Sequence, residues 1–299
     1  MRRFAWVLNL DAELELARGR PGYVPPRKLM AQLAVHGEGA RQLVSEHDAI
    51  VSAPFLDVAR PTAAQASPNF IGRAWSPTPL ALRALRDRGI EPEPHPAFET
   101  LRRVNHRRFA HELGGGLPLQ RYVTDEAELM ASLERAPGPW LLKRPLTFAG
   151  RGQLRIIGAL SAKQASWIAA SLARDGLIVE PLVEPLFEVS QHGFIWRDGT
   201  YELGRVCAQF VAPRGSFRQA RLLAPGELQT SEQSALDERT NSVARALFAA
   251  GYFGPFGVDA YRYLFQGKPC FCALSEINAR FTLGFAIGFS RPASELRLR

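Results

Sequence analysis

The sequence predicts an α/β protein in which a small N-terminal unit precedes a larger one. Strand-like and helix-like apolar patterns alternate over about the first 92 residues, as expected for an α/β unit. The proline-rich stretch EPEPHP at 91–96 then forms a joint. Beyond it, further helices and strands include two turn-linked pairs of strands, which are typical of antiparallel hairpins.

Length and composition agree with two packed units. The chain has 299 residues, of which 46% are hydrophobic and 22% charged. The uncharged apolar run at 281–290 is too short to cross a bilayer, so we expect no membrane partner. The opening MRRFAWVLNLD is interpreted as a first strand rather than a signal peptide, because its apolar core is short and Asp11 follows at once.

The net charge of +8 is compatible with nucleic acid, an anionic small ligand or simply a basic surface. Because the positive charges are scattered and form no Lys/Arg block, we expect no nucleic-acid partner. Only four of the 37 basic residues are lysines, so each lysine stands out: Lys28, Lys143, Lys163 and Lys268. The three cysteines are too few, and odd in number, for a disulfide framework and indicate a reducing cytoplasm.

In the N-terminal unit, two apolar runs predict strands at 4–10 and 48–55. The segment 27–44 between them has partly helical spacing, which Gly37 and Gly39 are predicted to interrupt.

Two helices on either side of the joint have recognisable ends. In the first helix, Thr78 can be the N-cap, Pro79 suits the first helical position, and Gly89 suits the C-terminal end. Asn105 can cap the second, HRRFAHEL, which Gly114 ends.

The rest of the chain alternates between predicted strands and helices. Strands are predicted at 117–123, 139–143, 154–157 and 177–183, and helices at 126–134, 161–176 and around 234–250. Either Thr124 or Asp125 caps the helix at 126–134. The predicted hairpins pair 187–196 with 201–212, and 254–264 with 269–278.

Polar residues on the final hairpin predict a metal site. Asp259 lies on one strand, and Glu276 and Asn278 lie two residues apart on the next. Carboxylate and amide oxygens suit Mg²⁺, which keeps some waters and binds phosphate. The alternative is an ordinary solvated strand face.

Lys143 and the loop after it predict a phosphate site. The lysine ends a predicted strand and precedes TFAGRGQ, in which Gly150 and Gly152 let backbone N–H groups approach phosphate oxygens. An ordinary hairpin turn is the alternative, but a lysine in this arginine-rich chain favours the phosphate site.

An acidic segment could hold a nucleoside. A buried strand ends in Glu180, and backbone groups from there to Val183 can pair with an adenine edge, while Glu188 can accept hydrogen bonds from ribose hydroxyls. For each glutamate taken alone, a surface position is the alternative.

Taken in order, these clusters resemble the ATP-grasp superfamily. The resemblance covers roughly residues 101–290 and is most specific in GPFGVDAYRYL…ALSEINARFTLG. It implies two α/β lobes with ATP between them, preceded by a small Rossmann-like domain. The implied division is 1–92 for the N-terminal domain, 101–175 for the small lobe with the glycine loop, and 176–299 for the large lobe with the metal-binding hairpin.

The resemblance also implies roles for single residues. Lys143 and Arg280 would be catalytic, Lys143 on the α/β phosphates and Arg280 neutralising the transferred phosphoryl group. The implied ATP contacts are Arg107 (with Arg108 as a rival), Lys143, Gly150, Arg151, Gly152, Glu180, Val183 and Glu188. The implied ligands of Mg²⁺, or of Mn²⁺ in its place, are Asp259, Glu276 and Asn278.

This chain departs from the family pattern at two points. The first basic ATP contact is usually lysine, whereas arginine stands here. Some relatives also carry an arginine two residues before the metal aspartate, where this chain has Gly257, so Arg280 or Arg205 would supply that charge.

The implied function is that of a carboxylate–amine ligase. ATP would phosphorylate a substrate carboxylate, and an amine, or less often a thiol, would displace phosphate from the acylphosphate. The alternatives are a kinase that stops at phosphorylation, a non-catalytic ATP-binding regulatory module, and a nucleic-acid binder. The expected partners are small-molecule carboxylates and amines, with a homodimer as the candidate assembly.

Substrate contacts are expected from the N-terminal unit and from loops. Arg73, Arg214 and Arg218 are the candidates to clamp a substrate carboxylate, with ordinary surface arginines as the alternative. His192, near the cleft strand, is interpreted as structural.

Overall fold

The computed structural model describes residues 3–20, 22–52, 70–147, 151–211, 217–289 and 291–298. The N-terminal unit contains a parallel sheet in which β1 (Arg3–Val7) lies between β2 (Ala49–Ser52) and β3 (Phe70–Ala74). Its helices are α1 (Ala12–Arg18), α2 (Arg27–Arg41) and α3 (Pro79–Arg86). Because the strands are parallel, their carboxyl ends meet at one edge, where α/β proteins usually bind ligands.

Helix α2 corrects one prediction, because it continues through Gly37 and Gly39. Tertiary packing explains Gly39: a Cβ atom there would lie 3.2 Å from Cδ2 of Leu283. The glycine therefore lets a distant segment approach the helix closely. Of the strand predicted at 48–55, the part from 53 onward lies outside the described residues.

The second sheet has four antiparallel strands. They are β4 (Arg121–Val123), β5 (Trp140–Lys143), β6 (Gln153–Ile156) and β7 (Leu177–Pro181), in the order β4-β7-β5-β6. Helices α6 (Glu126–Leu133) and α7 (Ala162–Asp175) accompany this sheet. Because β7 pairs with β4 and β5, this sheet extends to Pro181, past the lobe boundary predicted at 175/176.

Two short helices precede this sheet, α4 (Phe98–Asn105) and α5 (Arg107–Glu112). The predicted cap of α5 is wrong by one residue, because the side chain of His106 accepts from the N–H of Arg108. Asn105 instead belongs to the last turn of α4, and its Oδ1 accepts from the N–H of Ala279. Of the two predicted caps of α6, Asp125 is the one observed, because its side chain accepts from the N–H of Glu128.

The third sheet is the largest. Its strands are β8 (Glu184–Ile195), β9 (Tyr201–Leu203), β10 (Cys207–Val211), β11 (Phe217–Leu222), β12 (Gly254–Phe265) and β13 (Lys268–Asn278). The order is β11-β10-β8-β12-β13, with β9 also paired to β8, and every pair is antiparallel. Helix α8 (Thr230–Ala249) packs on this sheet through Leu236, Val243 and Leu247, which share a buried core with Val258 and Ile277.

The predicted strand at 201–212 is divided into β9 and β10. At the division, the chain passes close to the C-terminal segment, because a Cβ on Gly204 would lie only 2.6 Å from the carbonyl oxygen of Gly288. The final predicted hairpin is confirmed as β12 and β13.

The C-terminal segment returns to the N-terminal unit. It contains α9 (Phe285–Gly288) and a 3₁₀ turn at Ala293–Glu295. Phe281 and Phe285 pack in one buried cluster with Phe4 and Trp6 of β1, and the rings of Trp6 and Phe281 are 5.2 Å apart. The end of the predicted large lobe therefore completes the core of the N-terminal unit. In the part of the chain that the structure describes, no helix is long and apolar enough to cross a membrane.

Candidate active site

A cleft of about 720 Å³ is lined by residues from the N-terminal unit and from both antiparallel sheets. This is the size of a typical small-molecule pocket. Nine predicted site residues line it: Arg107, Lys143, Glu180, Val183, Glu188, Asp259, Glu276, Asn278 and Arg280.

Lys143 and Glu180 form a buried ion pair in the four-stranded sheet. Lysine Nζ lies 2.6 Å from Glu180 Oε1, and the glutamate is only 4% exposed. Burial of Glu188 raises its pKa, and the charge of Lys143 opposes that rise. The ammonium group of Lys143 therefore acts on two carboxylates of the cleft, Glu180 and Glu188.

The loop between β5 and β6 is held at its base by the N–H of Arg144, which donates to the carbonyl of Gly152 at 2.8 Å. Gly152 has a φ of 63°, and a Cβ there would lie 2.4 Å from Cγ2 of Thr147. Glycine is therefore required at this position. Arg151 is exposed beside it, whereas the predicted Gly150 lies outside the described residues.

Arg107 connects this loop to the final hairpin. Its Nη1 donates to the carbonyl of Arg144 and to Thr147 Oγ1, and its Nη2 lies 2.8 Å from Glu276 Oε1. Arg108, the rival for the first basic ATP contact, instead pairs with Glu112 on the exposed face of α5. Of the two arginines, only Arg107 faces the cleft.

Asp259 and Glu276 lie directly opposite each other on β12 and β13, so both side chains project from the same face. Gln209 Nε2 donates to Asp259 Oδ1 at 3.0 Å, and Asn278 Nδ2 donates to Oδ2 at 2.8 Å. Burial, followed by the nearby charge of Glu276, raises the pKa of Asp259 to about 7. Two facing carboxylates favour a cation between them.

The donor set fits Mg²⁺ that is shared with a nucleotide. Within the described ranges, no group of three or more His, Cys, Asp and Glu side chains is arranged to hold a metal. Two carboxylates and an amide oxygen suit an ion that keeps waters and binds substrate phosphates, which is the usual condition of Mg²⁺.

Arg280 lies between the acidic pair and the N-terminal unit. Its Nε and Nη2 pair with Glu13 of α1, Nη2 also donates to Asn278 Oδ1 at 3.0 Å, and Nη1 donates to the carbonyl of Phe281. Its guanidinium carbon is 5.6 Å from the centre of the Trp75 ring. The predicted phosphoryl-binding guanidinium is therefore already ion-paired.

Val183 marks the apolar side of the cleft. It packs against the buried cluster of Leu117, Tyr263 and Cys272, next to β7. The N–H of Leu182 donates to the carbonyl of Pro139, which holds the segment after Glu180 against the small sheet.

Sequence reasoning missed two side chains of this site. Glu13 lies in a short helix whose sequence, AELELAR, alternates acidic and apolar residues, and that pattern was a usable signal. Gln209 carried no such signal, because its partner Asp259 is 50 positions away and only the sheet order brings them together.

Arg73 does not have the position predicted for a residue that binds the substrate carboxylate. This side chain is 1% exposed, pairs with both oxygens of Glu93, and lies 3.6 Å from the centre of the Phe4 ring. It also donates to the carbonyls of Ala293 and Leu296 in the C-terminal segment, and it is not among the residues that line the cleft. Arg218 is exposed on β11, and Arg214 lies outside the described residues.

Two other side chains lie away from the ligand space. Arg205 is exposed and is not among the residues that line the cleft. His192 is buried, with a pKa that burial lowers to about 4, and a Cβ on Gly284 would lie 2.7 Å from its Cε1. This close packing agrees with a structural role.

Neither a scan of protein-family models nor a search of curated proteins finds a match to the chain. Solved structures do match. N5-carboxyaminoimidazole synthetase from Staphylococcus aureus, complexed with ADP, is 11% identical with a TM-score of 0.52, over 97% of this chain and 79% of that one. Carboxyaminoimidazole ribonucleotide synthase from Aspergillus clavatus, complexed with ATP, is 16% identical with a TM-score of 0.51, over 99% and 80%.

A biotin carboxylase complex from Campylobacter jejuni is 12% identical with a TM-score of 0.55, over 97% of this chain and 72% of that one. Identities this low establish the arrangement of the elements and not the activity. These three proteins are ATP-grasp enzymes. The chain therefore has the ATP-grasp fold.

Proposed function

We propose that this chain is an ATP-dependent carboxylate–amine ligase that forms an acylphosphate and releases ADP and phosphate. The observation that carries the proposal is the meeting of Lys143, at 2.6 Å from Glu180, and the facing pair Asp259 and Glu276 in one cleft. Proteins of the same fold have been solved with ADP and ATP, and their names describe a synthetase and a carboxylase.

In this proposal the nucleotide lies between the two antiparallel sheets. Lys143 has three N–H donors, so it can keep its contact with Glu180 and also donate to the α/β phosphates. The backbone after Glu180, at Val183, holds adenine, and Glu188 accepts from the ribose. Arg107, Arg151, Gly152 and the loop containing Gly150 cover the phosphates.

Asp259, Glu276 and Asn278 would hold Mg²⁺, or Mn²⁺ in its place, which would neutralise charge on the phosphates. Asn278 Oδ1 accepts from Arg280 Nη2 at 3.0 Å, so the amide that would bind the ion also holds the guanidinium next to it. From that position Arg280 would meet the transferred phosphoryl group.

The chemistry needs no protein nucleophile. An oxygen of the substrate carboxylate attacks the γ-phosphorus, the bond to the β–γ bridging oxygen breaks, and ADP leaves. The amine nitrogen then attacks the acyl carbon, phosphate leaves with the bonding pair, and the nitrogen loses a proton. The side chains contribute orientation and charge neutralisation, which is most of what phosphoryl transfer requires.

Residues 1–92 form the N-terminal domain in this proposal and contribute to substrate binding. The three cysteines are free, which agrees with a cytoplasmic enzyme. We expect a homodimer, and light scattering coupled to size-exclusion chromatography measures this directly.

The experiment that tests the function supplies Mg-ATP, a panel of carboxylic acids and hydroxylamine. A carboxylate that forms an acylphosphate yields ADP and a hydroxamate. AMP as the product would indicate adenylation and refute the mechanism, and a phosphorylated product that resists hydroxylamine would favour a kinase. Calorimetry without Mg-ATP binding by the folded protein would reject the nucleotide site itself.

A further inference from the structure

The guanidinium of Arg280 is held by residues of the N-terminal unit. Its Nε and Nη2 both lie against Glu13 Oε1, on helix α1. Its guanidinium carbon lies 5.6 Å from the centre of the Trp75 ring, directly after β3. Because α1 and Trp75 follow strands of the parallel sheet, the carboxyl edge of that sheet meets the end of β13 at this side chain.

The backbone around Arg280 is fixed as well. The N–H of Phe281 donates to the carbonyl of Trp75 at 3.1 Å. On the other side, the N–H of Ala279 donates to Asn105 Oδ1 at 2.8 Å. The backbone is therefore held from both sides, and the long flexible stem of the arginine is the part that still has to be oriented.

Glu13 determines which part of the guanidinium faces the cleft. An arginine presents five N–H donors in a planar fork. Glu13 binds the edge formed by Nε and Nη2, while Asn278 Oδ1 accepts from Nη2 at 3.0 Å and the carbonyl of Phe281 accepts from Nη1 at 2.9 Å. With its Nε edge bound to Glu13, Arg280 presents its Nη2 to Asn278, next to the acidic pair, where it lines the cleft.

Stability alone does not account for this ion pair. The pair is nearly buried, with 14% of the Arg280 side chain and 8% of the Glu13 side chain exposed. The loss of hydration offsets much of the attraction in a buried ion pair, so such a pair adds little stability compared with well-packed apolar residues. Glu15, on the same helix and equally buried at 6%, instead accepts from the N–H of Leu80, within the N-terminal unit.

We infer that Glu13 is a positioning residue for phosphoryl transfer, because it holds the Arg280 guanidinium where the transferred group would meet it. The inference rests on the proposed function and deepens it: the N-terminal unit then contributes to the ATP chemistry and not only to substrate binding. Glu13 is not among the residues that line the cleft, so it acts through Arg280 and not on the substrate itself.

The first test compares Glu13→Gln with Glu15→Gln, the same substitution at an equally buried position on α1. Calorimetry measures Mg-ATP affinity, and ADP release from Mg-ATP with the panel of carboxylic acids and hydroxylamine gives kcat. Glu13→Gln is expected to lower kcat at least about tenfold and to change ATP affinity less than about threefold, because a displaced guanidinium affects transfer more than binding. Glu15→Gln should leave both values near those of the wild type.

The outcomes separate this inference from the proposed function. Circular dichroism verifies that both variants fold. If the wild type binds no Mg-ATP, or releases no ADP with any acid of the panel, the proposed function fails and the role of Glu13 with it. If the wild type is active but Glu13→Gln keeps its kcat, loses ATP affinity as strongly as kcat, or behaves like Glu15→Gln, only the role of Glu13 is refuted.

The second test is a double-mutant cycle. Because Glu13 acts through Arg280, adding Glu13→Gln to Arg280→Ala should lower kcat less than about twofold, although the same change lowers the kcat of the wild type at least about tenfold. A merely structural effect of Glu13 on α1 would lower kcat in both backgrounds. Equal losses in the two backgrounds would therefore contradict the inference.

Discussion

Lys143 is the residue on which nucleotide binding depends most strongly in our proposal. Lys143→Ala is expected to weaken Mg-ATP binding at least about tenfold, or about 1.4 kcal/mol, because a charge-assisted contact to the phosphates is lost. Isothermal titration calorimetry measures the change. Lys163→Ala serves as the control, since Lys163 is exposed on α7. Equal affinities for Lys143→Ala and Lys163→Ala would contradict the assignment.

The same substitution should also destabilise the protein without ligand. It leaves Glu180, 4% exposed, without its cation, and breaking a buried pair typically costs about 3–5 kcal/mol. Adding Glu180→Gln to Lys143→Ala removes the unpaired charge and should restore much of the loss in urea unfolding. A double variant no more stable than Lys143→Ala would show that the ion pair does not explain the effect.

Arg280 is expected to act in transfer more than in nucleotide binding. Since its charge would matter most as the phosphoryl group leaves ADP, Arg280→Ala should lower kcat more than it lowers ATP affinity. Steady-state kinetics and calorimetry separate the two effects. Arg205→Ala, which changes an exposed arginine outside the cleft, should leave both values near those of the wild type. Equal losses of kcat and ATP affinity in Arg280→Ala would argue for simple binding.

At the scale of single elements, a substitution in the β5–β6 hairpin tests the predicted role of the glycine loop. Gly152→Ala should weaken Mg-ATP binding about tenfold, because the Cβ would meet Thr147 at 2.4 Å and displace the base of the loop. Gly158→Ala is matched for backbone strain, since its φ is 82°, but has open space around its Cβ. If both variants weaken binding equally, the position of the loop is not what matters.

A substitution in the β12–β13 hairpin tests the proposed metal ligands. Glu276→Gln should abolish most of the dependence of nucleotide affinity on Mg²⁺, because one of two facing carboxylate charges is lost. Titrations with ATP in Mg²⁺ and in EDTA measure this dependence. Glu238→Gln, an exposed change on α8, should retain it. Unchanged Mg²⁺ dependence in Glu276→Gln would remove this residue from the metal site.

At the scale of the whole molecule, the C-terminal segment packs against the N-terminal sheet and shares its core. Phe285 is 1% exposed in the cluster that contains Phe4 and Trp6, so Phe285→Ala should cost about 3–5 kcal/mol in denaturant unfolding. Phe248→Ala removes the same ring from a position that is 41% exposed and should cost much less. Similar losses in the two variants would contradict a shared core.

Much of this architecture could be predicted from local signals. The final hairpin followed from its turn and alternation, and the spacing of Glu276 and Asn278 with Asp259 on the preceding strand indicated a common face. These predictions succeeded because turn chemistry and the two-residue period of a strand act between near neighbours.

Other features depended on contacts between distant segments. The uninterrupted α2 at Gly39, the Glu13–Arg280 ion pair and the extent of the four-stranded sheet to Pro181 involve residues far apart in sequence. The sequence by itself determined the hairpins, the order of the polar clusters and the resemblance. Only the tertiary structure decided which side chains meet across the cleft, because sheet order and core packing, not local propensity, set the distances between segments.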